Sequence, residues 1–576
     1  MKRQARASKS KAEMPASPVA QSGQSGLRWL AAIAALFAVF AAYGPALDGP
    51  FVLDDNYLPL GRPDAHTLGY VVWLAGRPAL GLTYWANYLL AGQRPAPYHI
   101  TNVLLHAATG FVVFWILRMV LQERSRRNDL IAGIGAGIFL LHPLQTEAVA
   151  YIAGRSDVLC TLFAYAALGV FLKYRRPAIG FGATAAVLGL SLLALLSKQQ
   201  AVAIPGAFIL IDLLWNDGSA IDSLKRSIRL HGALIAGAIA GAVWIFTRLA
   251  ADSTAGFRVP GITPTEYFLT QCRAFWRYVR LLILPVGQNL DPDFAISRGL
   301  LDHGALFGLL GILALAAAAI WLRRSWPLAS AGILLFFVLL APTSSFVPIA
   351  DPVAERRVYF VMIGPLLILV DVLRRWQIST KGLLSVGAVV LVLLTMATYS
   401  RAKVWGDEMT LWRDTVEQSP KKMRPRFQLA HLLYRQQRCP EAVREYETAA
   451  SLTTPKADLL VDWGLALDCS GRTPEALEKL RRAVAVERTY NALAQLGMVL
   501  ARAGNFDEAL PLLNEAIERD PMQPAVYGYR GNVYATQGKL ADAEADFRRA
   551  LTLSPDDPAA TRGMQYVQQQ QRANPR

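Results

Sequence analysis

The chain has 576 residues, of which 53% are hydrophobic and only 18% are charged, with a formal net charge of +16. A soluble protein of this length would carry about a quarter charged residues, so the composition argues against a wholly soluble protein. The positive charge does not indicate nucleic acid binding, because many lysines and arginines lie in short loops between apolar segments, as in cytoplasmic membrane loops. Residues 27–400 are apolar runs with short polar loops, whereas residues 401–576 are charged.

The amino-terminal residues 1–26 are basic and are predicted to form a disordered cytoplasmic tail. Residues 27–47 are long enough to cross a membrane, which takes about 20 residues, and exceed the apolar core of a signal peptide. We therefore expect an uncleaved first helix whose carboxyl end lies outside the cytoplasm. Asp54 and Asp55 follow it closely. Two adjacent carboxylates are costly there unless water, a cation or a reacting group meets them.

Placing each basic loop in the cytoplasm gives about eleven spans within residues 27–400. The predicted spans are 27–47, 98–120, 130–150, 157–172, 178–196, 199–215, 231–250, 303–322, 326–341, 358–374 and 380–400. Residues 265–285 are apolar but contain three arginines, so we expect an interfacial or half-inserted helix there. This topology leaves loops 48–97, 251–302 and 341–357 outside, with most acidic loop residues, Asp64 and Asp252 among them.

Polar residues concentrate at the helix ends that this topology places outside. They are Asn102 and His106, four apart on one helical face; His142 and Glu147, followed by Arg155 and Asp157; Lys198 between two apolar runs; and Glu355 with Arg356. Each alone is explained by a helix cap, an interfacial anchor or a buried ion pair. Their collection on one face favours a reaction site instead.

The tail repeats itself at intervals of about 34 residues, as Ala449, Ala483, Ala516 and Ala550 illustrate. A small residue at a fixed position lets paired helices pack closely, and this period is typical of tetratricopeptide repeats. We predict three to four repeats over 424–565, with a linker at 401–423 and a disordered tail at 566–576. Such repeats stack into an α-solenoid whose concave face usually binds an extended peptide.

The four cysteines show no metal-ligand spacing. Cys160 lies within a predicted span and is expected to be a packing residue. Cys439 and Cys469 lie in the repeats, where an oxidising outer compartment would allow them to pair.

Carboxylates and cations at a membrane surface suit transfer of a sugar from a lipid phosphate. Arginine and lysine would hold the phosphate, and a carboxylate would take the proton of the acceptor hydroxyl. A divalent cation such as Mg²⁺ or Mn²⁺ held by Asp54 and Asp55 is the alternative role for that pair. The sequence leaves base and metal ligand both open.

Together these residues resemble the transmembrane and tetratricopeptide-repeat O-mannosyltransferases, part of the GT-C glycosyltransferase superfamily. The matching motifs are Phe51-x-x-Asp54-Asp55, Tyr98-His99-x-x-Asn102-x-x-x-His106, His142-Pro143-x-x-Thr146-Glu147-Ala148-Val149, Gly154-Arg155, Ser197-Lys198 and Glu355-Arg356-x-x-Tyr359, followed by the repeats. Each motif alone is weak, but their order is specific, and the resemblance covers roughly residues 40–560.

The resemblance implies an all-α, GT-C-type membrane helix bundle over 27–400 followed by the solenoid. It also implies an inverting transferase at the bacterial inner membrane. A polyprenyl-phosphate donor would supply mannose to protein Ser or Thr hydroxyls outside the cytoplasm. Asp54 or Asp55 would stand at the reaction centre and Arg356 would contact the phosphate. The other implied site residues are Lys198, Arg155 and His142 as lining, with Glu147, Asn102, His106 and Glu355 in support.

Two alternatives remain at the level of sequence. The first is a transferase that glycosylates a lipid or a polysaccharide. The second is a repeat scaffold that docks envelope proteins on an inactive membrane domain. In each case the amino terminus would be cytoplasmic and the repeats would lie in the periplasm.

Overall fold

A computed structural model describes residues 18–58, 67–69, 76–215, 219–249 and 254–573. Within these ranges the regular structure is helical, with one isolated bridge between Ala255 and Ile349. The all-α prediction is confirmed for this part of the chain. Residues 1–17 of the predicted basic tail, and the predicted external residues Asp64 and Asp252, lie outside the described residues.

The chain divides into two compact units. The first comprises Met1–Leu290 and Phe294–Thr410, and the second comprises Asp291–Asp293 and Leu411–Arg576. Helices α1 to α16 belong to the first unit, and the boundary between the units falls within the next helix, α17. The bounds of these seventeen helices follow. They are α1 Pro18–Tyr43, α2 Pro78–Ala91, α3 Pro95–Val120, α4 Arg126–Leu141, α5 Thr146–Ala150, α6 Arg155–Tyr174, α7 Phe181–Ser197, α8 Ile204–Leu214, α9 Ala220–Arg226, α10 Ile228–Leu249, α11 Pro264–Ile283, α12 Ala305–Leu322, α13 Pro327–Leu340, α14 Arg357–Val361, α15 Ile363–Arg375, α16 Thr380–Trp405 and α17 Glu408–Gln418.

The predicted count of about eleven spans is not confirmed. Among the described residues, four helical segments are both long and apolar enough to cross a membrane: Pro95–Val120, Ile152–Tyr174, Asp302–Leu322 and Thr380–Trp405. Five further apolar segments are shorter: Leu30–Ala46, Phe181–Ser197, Gln199–Leu214, Ile228–Trp244 and Pro327–Leu340. Some apolar stretches that were predicted as single spans consist of separate helices in the structure. Residues 130–150 are an example, because α4 ends at Leu141 and a separate short helix follows.

The helices of the first unit pack around one apolar core with the polar site residues gathered at one end. The amino ends of α3 and α6 meet there, because Arg155 donates to Asn102. Asn102 in turn donates to the carbonyls of Val149, Tyr151 and Ile152. The carboxyl end of α4 lies nearby, since His106 of α3 contacts the carbonyl of Leu140. Helix α11 runs across this same end: Tyr267 near its start donates to the carbonyl of Thr343, and the carbonyl of Leu282 near its end contacts His142.

Buried ion pairs fix the helices at the opposite end. Arg175 and His231 both contact Asp212, and all three are buried. Asp371 accepts hydrogen bonds from the first amides of α13 and pairs with two arginines of its own helix. A buried carboxylate is tolerated only with such partners. These contacts set the register of the helices that carry the site.

The second unit consists of helix pairs in series. They are α18 Met423–Arg435, α19 Cys439–Ser451, α20 Ala457–Cys469, α21 Thr473–Val486, α22 Tyr490–Arg502, α23 Phe506–Arg519, α24 Pro524–Thr536, α25 Leu540–Leu553 and a last helix, α26 Pro558–Ala573. The four repeated alanines are fully buried, as expected where paired helices approach closely. Cys439 and Cys469 form a disulfide bond with 5.8 Å between their Cα atoms, which joins the start of α19 to the end of α20.

Candidate active site

The segment after α1 presents Asp54 and Asp55 in a short 3₁₀ turn, Leu53–Tyr57. Leu53 has φ of 47°, a left-handed conformation that costs a non-glycine residue of order 1 kcal/mol and tends to occur at functional sites. The turn gives the two neighbours different surroundings. Asp55 is buried, whereas the side chain of Asp54 is exposed.

Asp55 is held by the backbone. Its two carboxylate oxygens accept hydrogen bonds from the amides of Val52, at 3.1 Å, and Ala153, at 2.7 Å. Burial, with a contribution from Asp54, raises the pKa of Asp55 to about 7 against these hydrogen bonds. Asp55 therefore ties the turn to the segment before α6, and Asp54 is the carboxylate of the pair that is open to a reactant.

Tyr151 connects the aspartates to the cationic part of the site. Its hydroxyl accepts the amide hydrogen of Asp54 at 2.9 Å, and its ring lies 5.7 Å from that of Trp405, centre to centre. Burial and the charges of Asp54 and Asp55 raise the pKa of Tyr151, while Arg356 lowers it. One phenol thus lies within electrostatic range of both the carboxylates and Arg356.

Lys198 follows α7 and forms a buried ion pair. Its Nζ lies 2.5 Å from Oδ2 of Asp157, whose other oxygen accepts a hydrogen bond from Gln200 at 3.3 Å. Asp157 is fully buried and Lys198 is 17% exposed. Burial lowers the pKa of Lys198 and Asp157 opposes that shift. The contact with Asp157 holds the amino group of Lys198 at the surface of the site.

Arg356 precedes α14 and is held by Glu147. Its Nη1 lies 2.5 Å from Oε1 of Glu147, and its backbone amide donates to Oε2 of the same carboxylate at 2.9 Å. Burial lowers the pKa of Arg356, but Glu147 and Asp157 outweigh this effect and raise it. Arg356 is 27% exposed, so it is an oriented, permanently charged guanidinium at the edge of the site.

Glu355 lines a small polar pocket together with Glu147 and Asn289. Its Oε1 accepts the amide hydrogen of Asn289 at 2.9 Å and lies 3.5 Å from Nη2 of Arg277. Burial and the neighbouring Glu147 raise the pKa of Glu355 to about 7. The residue links α14 to the loop after α11.

Two predicted phosphate contacts have other roles in the structure. The side chain of Arg155 is fully buried, and its guanidinium donates to Asn102 Oδ1 at 2.7 Å and to the carbonyl of Tyr98 at 2.9 Å. Nδ1 of His142 accepts the amide hydrogen of Leu144, so Nε2 donates to the carbonyl of Leu282. Both residues are positioning residues, because the fold already occupies their polar atoms.

The supporting residues Asn102 and His106 hold the backbone that carries the site. Asn102 donates to the carbonyls of Val149 and Tyr151, which fixes the turn from which Tyr151 reaches Asp54. His106 lies 2.8 Å from the hydroxyl of Tyr359 and 3.0 Å from the carbonyl of Leu140. The motif residues around them therefore belong to two buried sets of hydrogen bonds, one around each residue.

Sequence reasoning missed Tyr151, Trp405 and Arg77. Arg77 lies just before α2 and within electrostatic range of Asp157 and Arg356. Nothing in the pattern around Arg77 marks it, since an arginine before a proline is common at helix starts. No group of three His, Cys, Asp or Glu side chains suited to a metal ion occurs within the described ranges.

Comparisons with known proteins found matches both to the repeats and to most of the chain as a whole. A tetratricopeptide-repeat family model matches residues 427–492 and 494–558, which confirms the repeats. The chain is 26% identical over 389 residues to the protein O-mannosyl-transferase F38B6.6 of Caenorhabditis elegans, which covers 65% of this chain and 53% of that protein. It is 25% identical over 492 residues to human protein O-mannosyl-transferase TMTC1, which covers 73% and 55%.

A third relative is the mouse protein O-mannosyl-transferase TMTC3, which is 24% identical over 524 residues covering 83% of this chain and 53% of that protein. The predicted resemblance to the transmembrane and tetratricopeptide-repeat O-mannosyltransferases is thereby confirmed over most of the chain. The chain spans about half the length of the curated relatives it matches.

Proposed function

We propose that this chain is an inverting glycosyltransferase that moves mannose from a polyprenyl-phosphate carrier to Ser or Thr hydroxyls of proteins. The observation that carries the proposal is the exposed carboxylate of Asp54, which has Tyr151 as a neighbour in common with Arg356. Lys198 lies in electrostatic range of Arg356, so basic side chains lie near the carboxylate. Chemistry of that kind needs a base for the acceptor and positive charge for the leaving phosphate.

In the proposed reaction, Asp54 takes the proton of the acceptor hydroxyl as its oxygen attacks the anomeric carbon. The new glycosidic bond forms as the bond between that carbon and the phosphate oxygen breaks, and the phosphate leaves with the electron pair. Arg356 and Lys198 stabilise the negative charge on the departing lipid phosphate. A single displacement of this kind inverts the configuration at the anomeric carbon.

Asp55 and Tyr151 act in this proposal by positioning Asp54. The hydrogen bonds of Asp55 to Val52 and Ala153 hold the turn, and Tyr151 accepts the amide hydrogen of Asp54. A base held by a rigid frame loses little entropy when it reaches the reacting geometry.

The proposed acceptor and sugar come from the relatives, which are named protein O-mannosyl-transferases. The repeats support a protein acceptor, because repeats of this kind provide a concave surface for extended peptides. In this proposal the second unit holds the acceptor or a partner protein.

The compartment proposed is the outer face of a bacterial inner membrane, with the amino terminus in the cytoplasm. The disulfide between Cys439 and Cys469 supports this location for the repeats, since such bonds persist in oxidising compartments and are rare in the cytosol. The polar loops that carry Asp54, Lys198 and Arg356 would share that face.

A divalent cation remains a prediction. Asp54 could contribute one carboxylate to it, but both oxygens of Asp55 accept backbone hydrogen bonds, which does not fit a two-carboxylate site built by the pair. The remaining ligands would come from the donor phosphate and water, as is usual for Mg²⁺. Transfer measured with EDTA and after re-addition of Mg²⁺ or Mn²⁺ tests the requirement.

Replacing Asp54 tests the proposed function directly. We expect Asp54→Asn to lower the rate of mannose transfer by about 100-fold or more, the usual contribution of a general base, without lowering the thermal stability of the purified chain. Asp48→Asn is the matched control, because Asp48 is also exposed and lies six residues earlier. The assay follows mannose from a synthetic polyprenyl-phosphate mannose into a peptide.

Full activity of Asp54→Asn would contradict the assignment of the base. Mass spectrometry of envelope proteins from cells with and without the chain then identifies the acceptor. Hexose lost from Ser or Thr in the deletion strain supports protein glycosylation. Hexose lost only from lipid or polysaccharide would overturn it.

A further inference from the structure

An apolar groove opens between the first turns of α2 and the last turns of α7. It has a cavity volume of about 430 Å³ and is lined by Pro78, Ala79 and Leu82 of α2, by Leu193 and Leu196 of α7, and by Leu68 and Gly69. The lining is almost wholly apolar. A lining of this kind packs against hydrocarbon through many van der Waals contacts.

Both walls of the groove lead directly to a cation. Arg77 immediately precedes Pro78 at the start of α2, and Lys198 immediately follows the last residue of α7. The groove therefore has a hydrocarbon-lined body and a basic end. Arg77 and Lys198 come from segments that lie more than a hundred residues apart in the sequence.

Three basic side chains come close together at this end of the groove. Lys198 pairs with Asp157 at 2.5 Å, and Arg77 is in electrostatic range of the same carboxylate and of Arg356. Arg356 is paired with Glu147. Lys198 is in electrostatic range of both Arg77 and Arg356. An anion that enters between Arg77 and Lys198 relieves the repulsion among them.

We infer that Arg77 and this groove bind the lipid-phosphate end of the donor: Arg77 contacts the phosphate, and the α2–α7 groove holds the first part of the prenyl chain. This inference rests on the proposed function, which it deepens by assigning a phosphate ligand and a chain subsite. The planar guanidinium of Arg77 offers two parallel hydrogen bonds to phosphate oxygens, which a lysine cannot.

The test measures binding of farnesyl phosphate to the purified full-length chain in detergent, without any transfer reaction. We expect Arg77→Gln to weaken binding at least tenfold, and Arg77→Lys to weaken it less because the positive charge is kept. Ala79→Trp fills the groove and is expected to weaken binding of farnesyl phosphate as well. Thermal stability of each variant is measured alongside.

Arg94→Gln is the matched control. Arg94 also precedes a proline at the start of a helix in the same part of the chain, but it is exposed and its Nε bonds the carbonyl of Ala91. We expect this variant to bind farnesyl phosphate as the unaltered chain does. Equal losses in Arg77→Gln and Arg94→Gln would overturn the inference.

Two further probes distinguish the contribution of the phosphate group to binding from that of the prenyl chain. Farnesol should bind at least tenfold more weakly than farnesyl phosphate, and inorganic phosphate should compete poorly. If farnesol binds as tightly as farnesyl phosphate, the phosphate contact is wrong. Binding that follows these expectations while Asp54 proves dispensable for transfer would support the lipid-phosphate site and contradict the proposed reaction, so the two can fail separately.

Discussion

At the scale of single residues, the adjacent aspartates differ because one is buried and one is exposed. Asp55 accepts two backbone hydrogen bonds and anchors a strained turn, and Asp54 carries the accessible carboxylate. A sequence motif of two identical residues cannot distinguish these roles. Burial decides them, since it depends on where residues 151–153 are placed.

The buried carboxyl of Glu355 predicts a pH dependence of stability. Its pKa in the folded chain is about 7, above the value of about 4.3 for an unfolded chain. Its contribution to stability is therefore full below about pH 4 and is lost as the pH rises through 7. We expect Glu355→Gln to gain thermal stability relative to the unaltered chain between about pH 4 and pH 8, measured by unfolding in detergent.

Glu123→Gln controls for the loss of one formal charge, because Glu123 is exposed in the loop between α3 and α4. A stability difference between the Glu355→Gln variant and the unaltered chain that is constant across this pH range would contradict a raised pKa. The amide of glutamine can still accept the hydrogen bond from Asn289 that Glu355 accepts at 2.9 Å. The comparison therefore isolates the charge.

At the scale of elements, close packing between helices of the first unit depends on glycine. Gly332 in α13 and Gly364 in α15 face each other so closely that a methyl group on either would collide with the carbonyl oxygen of the other. Small residues at such crossings allow backbones to approach, and packing of this kind holds membrane helices together. Helix α15 continues from α14, which carries Tyr359 and begins at Arg357, next to the site.

Replacing one of these glycines should therefore loosen the bundle. We expect Gly332→Ala to destabilise the chain by about 1–3 kcal/mol, the usual cost of overpacking a core, and to lower the temperature of unfolding in detergent. Gly189→Ala is the control. Gly189 lies inside α7, and a Cβ atom added to it would have no neighbouring atom within 4 Å. Equal stability of both variants would show that the α13–α15 crossing tolerates expansion.

At the scale of the whole molecule, the site is assembled from segments far apart in the sequence. Asp54, Tyr151, Lys198 and Arg356 come from four different connections between helices, all at one end of the first unit. The opposite end is basic and held by pairs such as Arg175 with Asp212. This polarity predicts which end faces the cytoplasm.

Labelling with a membrane-impermeant maleimide tests that orientation. Gln93 and Arg124 flank α3, a helix of 26 residues, and both are exposed. In intact spheroplasts we expect Gln93→Cys to be labelled and Arg124→Cys to be protected until the membrane is permeabilised. The unaltered chain provides the background, because Cys160 and Cys272 are buried and the other two cysteines are bonded.

The reverse labelling pattern would place the site in the cytoplasm and overturn the proposed compartment. Labelling of both variants in intact spheroplasts would show that α3 does not cross the membrane. Either result would also remove the support for proposing a donor that presents its sugar outside the cytoplasm.

The sequence by itself determined the helical class and the repeats, because hydropathy and a 34-residue period are local or regularly spaced signals. It did not determine the number of spans, since an apolar stretch such as 130–150 becomes two helices when a proline and a polar turn interrupt it. Only the tertiary structure decided that Arg155 is buried on Asn102, that Lys198 pairs with Asp157, and that Asp54 is the accessible aspartate. Pairing and burial arise from contacts between distant segments, and no local pattern encodes them.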